Sequence, residues 1–181
     1  MNEEIKAYTL HRTEIWKGSV GSFGIETVSL PNGKKAELAI LKHPGAAAVV
    51  PFLDHDRVLL IRQYRHAVGG MIWEVPAGKL DRQEDPATCV KRELLEETGY
   101  HANRLEQTGM IYSTPGFSDE RLYLFCAYDL YRGKRALEDH EVIETHEVRL
   151  NQALAMVDRG EIVDAKSIAA LFHVVRRMQV R

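Results

Sequence analysis

Three glutamates, Glu93, Glu96 and Glu97, lie close together in a charged stretch of the chain. In a helix with 3.6 residues per turn, positions i, i+3 and i+4 share one face, within about 100° of one another. A solvated face with Arg92 paired to Glu96 explains this poorly, because surface ion pairs return only about 0–1 kcal/mol. Mg²⁺ takes hard oxygen ligands and commonly joins protein carboxylates to substrate phosphates. The cluster therefore predicts a divalent-cation site, with Arg92 orienting the carboxylates by hydrogen bonds.

The helix that must carry these glutamates has clear ends. Asp85 suits the N-cap position, Pro86 suits the first helical position, and Gly99 suits the left-handed residue that ends a helix. The sequence thus predicts a helix over Pro86–Thr98. Its apolar stripe lies beside the acidic face, which places the carboxylates at the edge of a packed interface; the stripe comprises Ala87, Val90 and Leu94.

The rest of the chain is richer in strand patterns than in helix patterns. An N-terminal antiparallel hairpin is predicted around Pro31–Lys34, because Asn-Gly is the strongest short hairpin signal. Two further helices are predicted over Leu150–Arg159 and Lys166–Met178. Strands, one helix, more strands and two terminal helices indicate an α+β class protein, an α/β/α sandwich, rather than a doubly wound sheet. The predicted later strands are Ala46–Leu53, Val58–Ile61, Met71–Val75, Gln107–Tyr112, Leu122–Tyr128 and Val142–Val148.

Composition excludes several classes of protein. With 181 residues, 45% of them hydrophobic, the chain is long enough for one full core. Its formal net charge of -2 offers no general field for nucleic acid or an anionic membrane. No apolar run of about 18 residues is present, and the 2 cysteines form no disulfide framework. We therefore expect a cytoplasmic protein without nucleic-acid or membrane partners.

The residues around the acidic helix follow a longer pattern that resembles the Nudix box at every defining position. These positions are Gly78, Glu84, Arg92-Glu93-Leu94, Glu96-Glu97 and Gly99-Tyr100. The resemblance implies a mixed-sheet sandwich and hydrolysis of a nucleoside diphosphate linked to another group.

The same resemblance implies roles for individual residues. Glu93, Glu96 and Glu97 become Mg²⁺ ligands, with Mn²⁺ as a substitute and the carbonyl of Ala77 as an additional ligand. Arg92 supports these ligands. Gly78 lets the backbone approach the metal and the phosphates, and Glu84 braces the loop.

A proline downstream of the box, Pro115, resembles the marker of the ADP-ribose and nucleoside diphosphate sugar pyrophosphatases. The alternative is a plain Pro-Gly turn without a function. In this subgroup the position of Glu120 contacts the sugar distal to the nucleotide, and the products are a nucleoside monophosphate and a sugar phosphate. The subgroup also implies two parts of the chain. Residues 1–43 form a β extension that is exchanged between two subunits, and residues 44–181 form the hydrolase domain. A homodimer with composite sites is expected.

A general base and phosphate-binding cations complete the predicted site. Glu141 best matches the subgroup's metal-binding or water-activating glutamate, while Glu138 and Asp139 stay open as alternatives, and His140 is the weaker candidate. The catalytic roles thus fall on Arg92, Glu96 and Glu141. The phosphate-binding arginines are Arg65 and, with a poorer match, Arg62, and Trp16 and Phe23 are candidates to stack on the base.

Two other interpretations stay open. One is a Nudix hydrolase of dinucleoside polyphosphates or oxidised nucleoside triphosphates, against which Pro115 and the N-terminal extension argue. The other is a non-catalytic sensor of ADP-ribose. The complete box and the net charge near zero argue against the sensor.

Overall fold

The computed structural model describes residues 7–137, 139 and 141–179. The chain divides into two compact units. The first comprises Met1–Gly45 and Tyr112–Arg121, and the second comprises Ala46–Ile111 and Leu122–Arg181. Within the described ranges, no helix is both long and apolar enough to cross a membrane.

The first unit contains a three-stranded antiparallel sheet in the order β1-β2-β3. Its strands are β1 (Tyr8–Gly18), β2 (Gly21–Ser29) and β3 (Lys35–Lys42). The predicted Asn-Gly turn joins β2 to β3, so the predicted hairpin is confirmed. Across the sheet, the buried carboxylate of Glu26 binds Arg12 at 2.6 Å and lies 3.6 Å from Lys42, which connects all three strands.

Among its described residues, the second unit contains two sheets, three α-helices and a short 3₁₀ helix over His66–Val68. The sheet orders are β10-β5-β6 and β7-β4-β9-β8, and the second sheet is mixed because β4 pairs antiparallel with β7 and parallel with β9. The helices are α1 (Pro86–Thr98), α2 (Leu150–Asp158) and α3 (Ala165–Gln179). The strands are β4 (Ala46–Pro51), β5 (Arg57–Arg65), β6 (Gly70–Glu74), β7 (Ala77–Lys79), β8 (Tyr100–Tyr112), β9 (Arg121–Arg132) and β10 (Ile143–Arg149).

Strand β4 lies between the two halves of the core, because every one of its residues is buried. Ala47 and Val49 belong to the cluster that packs on α1, and Ala48 and Val50 belong to the cluster that includes residues of α2 and α3. A continuous apolar run is typical of a strand covered on both faces. The predicted α/β/α sandwich is therefore confirmed.

The helices agree with the sequence better than the strands do. The bounds of α1 are those predicted, and α2 and α3 differ by one residue at their ends. Strand β8 begins directly after α1, at Tyr100, well before the predicted start at Gln107. The three-residue strand β7 was not predicted, since it is shorter than any periodic pattern.

Candidate active site

Local capping fixes the position of α1. The side chain of Asp85 accepts hydrogen bonds from the backbone N–H groups of Ala87 and Thr88, at 3.0 and 3.3 Å. Gly99 adopts φ 75°, and its N–H donates to the carbonyl of Leu95 at 2.8 Å. Both caps are those that the sequence predicts. They set the two ends of α1 and thereby the part of the chain that is helical.

Of the three glutamates predicted to bind the metal, two are buried. Glu97 is 2% exposed and Glu93 is 9% exposed. Burial raises the pKa of Glu97 well above its usual range, and the nearby charges of Glu93 and Glu141 raise it further. Burial also raises the pKa of Glu93, against the opposing effect of Arg92. The two buried glutamates therefore hold their protons more tightly than free carboxyl groups do.

Arg92 links the carboxylates of the loop and the helix. Its Nη1 donates to Glu93 Oε1 at 2.6 Å and to Glu96 Oε2 at 3.2 Å. Its Nε and Nη2 donate to the two oxygens of Glu84, at 3.1 and 2.9 Å. Hydrogen bonding to Arg92 lowers the pKa of Glu84, which also accepts from the N–H of Asp81. Arg92 thus orients carboxylates, and Glu84 braces the loop.

Close approach of the backbone to the acidic cluster requires glycine at position 78. A Cβ atom built on Gly78 would lie 1.8 Å from Oε1 of Glu93. The next residue back, Ala77, donates its N–H to Oε2 of Glu97 at 3.0 Å. Strand β7 therefore lies directly against the carboxylates of α1.

These residues fit a divalent cation. Buried carboxylates with raised pKa values are costly unless a positive charge joins them, and hard oxygen donors are the ligands that Mg²⁺ selects. Glu141, half-buried before β10, extends the cluster, because its charge acts on both Glu93 and Glu97. Among the alternatives to Glu141, Asp139 lies in a turn, whereas Glu138 and His140 lie outside the described residues.

The two candidate phosphate-binding arginines differ. Arg65 ends β5, and its Nε and Nη2 bind the two oxygens of Glu74 at 2.7 and 2.8 Å. Its pKa is raised mainly by the hydrogen bonds to Glu74, and Glu97 also contributes, so Arg65 lies within electrostatic reach of the acidic cluster. Arg62 is exposed on the same strand. Its role in phosphate binding stays a prediction.

The remaining predicted residues belong to the first unit. Glu120 accepts a hydrogen bond from Ser113 Oγ at 2.5 Å and lies 3.6 Å from Nδ1 of His43. Pro115 lies in a turn that is attached to β3, since Leu41 donates its N–H to the carbonyl of Phe117 at 2.8 Å. Trp16 is 49% exposed on β1. Their contacts with a substrate stay predictions.

Sequence reasoning missed two groups of supporting residues. Glu74 is 1% exposed and binds both Arg65 and Lys166, an ion pair that anchors the end of β6 to α3. Arg135 donates from Nε to the carbonyl of Glu97 at 2.7 Å. Neither pairing follows a spacing rule, because each joins residues far apart in the chain, and no signal in a single sequence identifies them.

A second acidic group has a simpler explanation. Asp54, His55 and Asp56 bring their ligand atoms within 4.8 Å of one another in the turn between β4 and β5. Arg57 binds Asp54 at 2.7 Å, and Arg149 binds Asp56 at 2.8 Å. These exposed ion pairs account for the turn without a metal.

Comparison with known proteins gives the family. The model described as NUDIX domain matches residues 42–171. An ADP-ribose pyrophosphatase of Bacillus subtilis (strain 168) is 39% identical over 171 residues, which cover 93% of this chain and 92% of the relative. A methanol dehydrogenase activator of Bacillus methanolicus is 34% identical, with 94% of each chain covered.

A GDP-mannose pyrophosphatase of Cronobacter sakazakii (strain ATCC BAA-894) is 38% identical over 144 residues, with 74% of each chain covered. A solved structure, described as the crystal structure of ADP compounds hydrolase, superposes with a TM-score of 0.83 over 96% of this chain and 95% of that chain, at 21% identity. The last comparison supports the fold, and the family model and the relatives support the family. The family model, which covers more than half of the chain, and these relatives show that the chain belongs to the Nudix family.

Proposed function

We propose that this protein hydrolyses the pyrophosphate bond of ADP-ribose or a related nucleoside diphosphate sugar, with Mg²⁺ as its cofactor and Mn²⁺ as a substitute. The products are a nucleoside monophosphate and a sugar phosphate. The observation that carries this proposal is the buried carboxylate cluster of Glu93 and Glu97, whose raised pKa values indicate a place for a cation. The names of the pyrophosphatase relatives support the substrate class.

Residues of the second unit would hold the cation and the diphosphate. The proposed ligands are the carboxylates of α1 and of the segment before β10, together with one carbonyl: Glu93, Glu96, Glu97, Glu141 and Ala77. A bound divalent cation neutralises charge on phosphoryl oxygens and acidifies water. Arg92 keeps Glu93 and Glu96 in place through its Nη1. Arg65, assisted by Arg62, contacts a phosphate oxygen.

Removal of a proton from the attacking water is assigned to Glu141. A carboxylate beside a cation can act as a general base, and the charge of Glu141 acts on both Glu93 and Glu97. Asp139 and Glu138 stay alternatives. A covalent nucleophile is not required, and the cysteine of α1 is unsuited to that role because burial raises the pKa of Cys89 to about 12.

Residues of the first unit are assigned to the other parts of the substrate. Glu120 contacts the distal sugar, Pro115 shapes its turn, and Trp16 stacks on the base. Replacing Glu120 by alanine should raise KM for ADP-ribose more than it lowers kcat, because the sugar contact contributes to binding. Steady-state kinetics measure this, and an unchanged KM would remove the role of Glu120.

The assembly that we propose is a homodimer in which residues 1–43 are exchanged between subunits. Supporting this, β1 is exposed along almost its whole length and carries large apolar side chains, which are unusual on a free surface. Those that are clearly exposed are Tyr8, Leu10, Ile15 and Trp16. We place the protein in the cytoplasm, since neither Cys89 nor Cys126 forms a disulfide within the described part of the chain.

A substrate panel tests the activity. We expect Mg²⁺-dependent turnover of ADP-ribose or a nucleotide sugar, loss of turnover with EDTA, and two phosphorylated products by mass spectrometry. Hydrolysis in ¹⁸O-water shows which phosphorus is attacked. Faster turnover of dinucleoside polyphosphates or oxidised nucleoside triphosphates would overturn the substrate assignment, and binding of ADP-ribose without turnover would indicate a sensor.

A further inference from the structure

The carboxyl end of α1 is held by a later segment of the chain, which begins at Arg135 and continues into β10. The last carbonyls of a helix have no partner within the helix and must be satisfied from outside. The carbonyl of Glu97 accepts from Nε of Arg135 at 2.7 Å and from Oγ1 of Thr145 at 3.4 Å. The carbonyl of Glu96 accepts from the N–H of Ala136 at 3.2 Å. Two consecutive residues of the acidic helix thus bind this segment through their backbone.

Arg135 also binds the far end of the segment. Its Nη2 donates to the carbonyl of Ile143, the first residue of β10, at 2.8 Å. The guanidinium of Arg135 therefore connects the last turn of α1 to the start of β10. The planar group holds its donors in a fixed geometry, which a lysine ammonium lacks. Its positive charge is also favourable at the negative end of a helix.

The segment whose ends Arg135 joins contains Glu141. This residue lies two positions before Ile143, so the hydrogen bond to the carbonyl of Ile143 fixes the backbone beside it. Arg135 reaches the acidic cluster through carbonyl oxygens, whereas Arg92 binds its carboxylates. The two arginines therefore act on the cluster in different ways.

We propose that Arg135 is a positioning residue that holds Glu141 against the carboxylates of α1 by joining the carbonyls of Glu97 and Ile143. This inference rests on the proposed function, in which Glu141 completes the acidic cluster. Because Arg135 acts through Glu141, its loss lowers kcat and leaves substrate binding unchanged.

Variants of Arg135 test the role. We expect Arg135→Gln to lower kcat for ADP-ribose by at least about tenfold and to change KM by less than about twofold. Arg135→Lys keeps the charge but loses the two-point contact, so it should also lower kcat. The matched control is Lys134→Gln, an exposed neighbour that should leave kcat unchanged. Thermal unfolding of each variant selects a temperature at which all are folded.

Hydrogen exchange gives a readout that is independent of activity. In the metal-free protein, peptides covering residues 136–143 should exchange faster in Arg135→Gln than in Lys134→Gln, while peptides from the interior of α1 should be unchanged. Unchanged exchange together with unchanged kcat in Arg135→Gln would overturn the inference.

A double-mutant cycle separates this inference from the proposed function. If Arg135 acts through Glu141, adding Arg135→Gln to Glu141→Gln should change kcat by less than about twofold. The same reduction in both backgrounds would contradict the positioning role while leaving Glu141 in the site. Near-wild-type kcat in Glu141→Gln alone would instead remove Glu141 from the proposed site, and the positioning role with it.

Discussion

At the scale of single residues, the buried carboxylates of the candidate site lower the stability of the fold. Glu97 is almost fully buried, and its carboxylate accepts a hydrogen bond from the backbone N–H of Ala77. A buried carboxylate is unfavourable when ionised and without a positive partner. Functional sites often carry such costs, which the rest of the fold offsets. The arrangement is understandable if a cation supplies the missing charge.

The stability of the metal-free protein should therefore depend on Glu97. Because burial raises the pKa of Glu97 above its unfolded value, the group binds its proton more tightly in the folded state. The stabilising contribution of protonated Glu97 is then fully present below the pKa that this group has in the unfolded chain, near 4.5. It is lost as pH rises through the pKa of Glu97 in the folded state. Glu97→Gln mimics the protonated form at every pH and keeps an acceptor for Ala77.

We expect Glu97→Gln to unfold at a higher temperature than the wild type in EDTA, with a difference that grows as pH rises above 4.5. Each 1 kcal/mol would appear as roughly 2–4 °C. Thermal unfolding by circular dichroism measures this. Equal melting temperatures from pH 5 to pH 8 would contradict the cost assigned to the buried carboxylate.

The sequence alone could identify those site residues that follow a regular spacing along the chain. Glu93, Glu96 and Glu97 follow helical periodicity, and Gly78 and Arg92 belong to the same local motif. The ion pair of Glu74 with Lys166 and the bridge made by Arg135 could not be predicted, because they depend on tertiary packing between distant segments. For the same reason, the hydrogen bonds of Arg65 to Glu74 were not expected.

At the scale of elements, the site depends on how closely β7 approaches α1. The contact is tightest at Gly78, beside the carboxylate of Glu93. A side chain there would collide with the carboxylate of Glu93 and displace it. Misplacement by about 1 Å can cost about 10²-fold in rate even when the reacting groups are intact.

Gly78→Ala should accordingly lower kcat for ADP-ribose by at least about tenfold and raise the Mg²⁺ concentration needed for half-maximal activity. The matched control is Gly70→Ala, where an added Cβ meets no atom within 4 Å. Mg²⁺ titrations of activity measure both variants. Equal activation curves for Gly78→Ala and Gly70→Ala would contradict the close approach.

Elements with strong local signals were predictable. Helix α1 has a capping aspartate, a proline at its start and a glycine at its end, and its bounds are those predicted. The strands were less predictable. Residues 100–106 carry no strict alternation, and their place in β8 is set by pairing within the sheet, which a single sequence does not reveal.

At the scale of the whole molecule, the first unit presents an apolar surface without a described cover. Ile15 is 60% exposed on β1, and Trp16 and Leu10 of the same strand are also exposed. Large apolar side chains exposed together on one strand are consistent with an interface. The division at Gly45 and the role of residues 1–43 as an exchanged extension are consistent with a dimer, which stays our proposal.

A charged residue on this surface should separate the subunits. We expect light scattering with size-exclusion chromatography to give a dimer for the full chain and a monomer of reduced activity for Ile15→Glu. The control is Glu14→Gln, an exposed neighbour on the same strand. Deletion of residues 1–43 should yield an inactive or unfolded chain, and an active monomer in either experiment would contradict the exchanged dimer.

The central claim is that the buried carboxylates of α1 bind a divalent cation for catalysis, and calorimetric titration with Mg²⁺ tests it most directly. We expect Glu97→Gln to weaken Mg²⁺ binding by at least about tenfold and to lower kcat for ADP-ribose by at least ~10²-fold. The exposed control Glu37→Gln should match the wild type in both. Mg²⁺ affinity and turnover in Glu97→Gln equal to those of the wild type would contradict the claim.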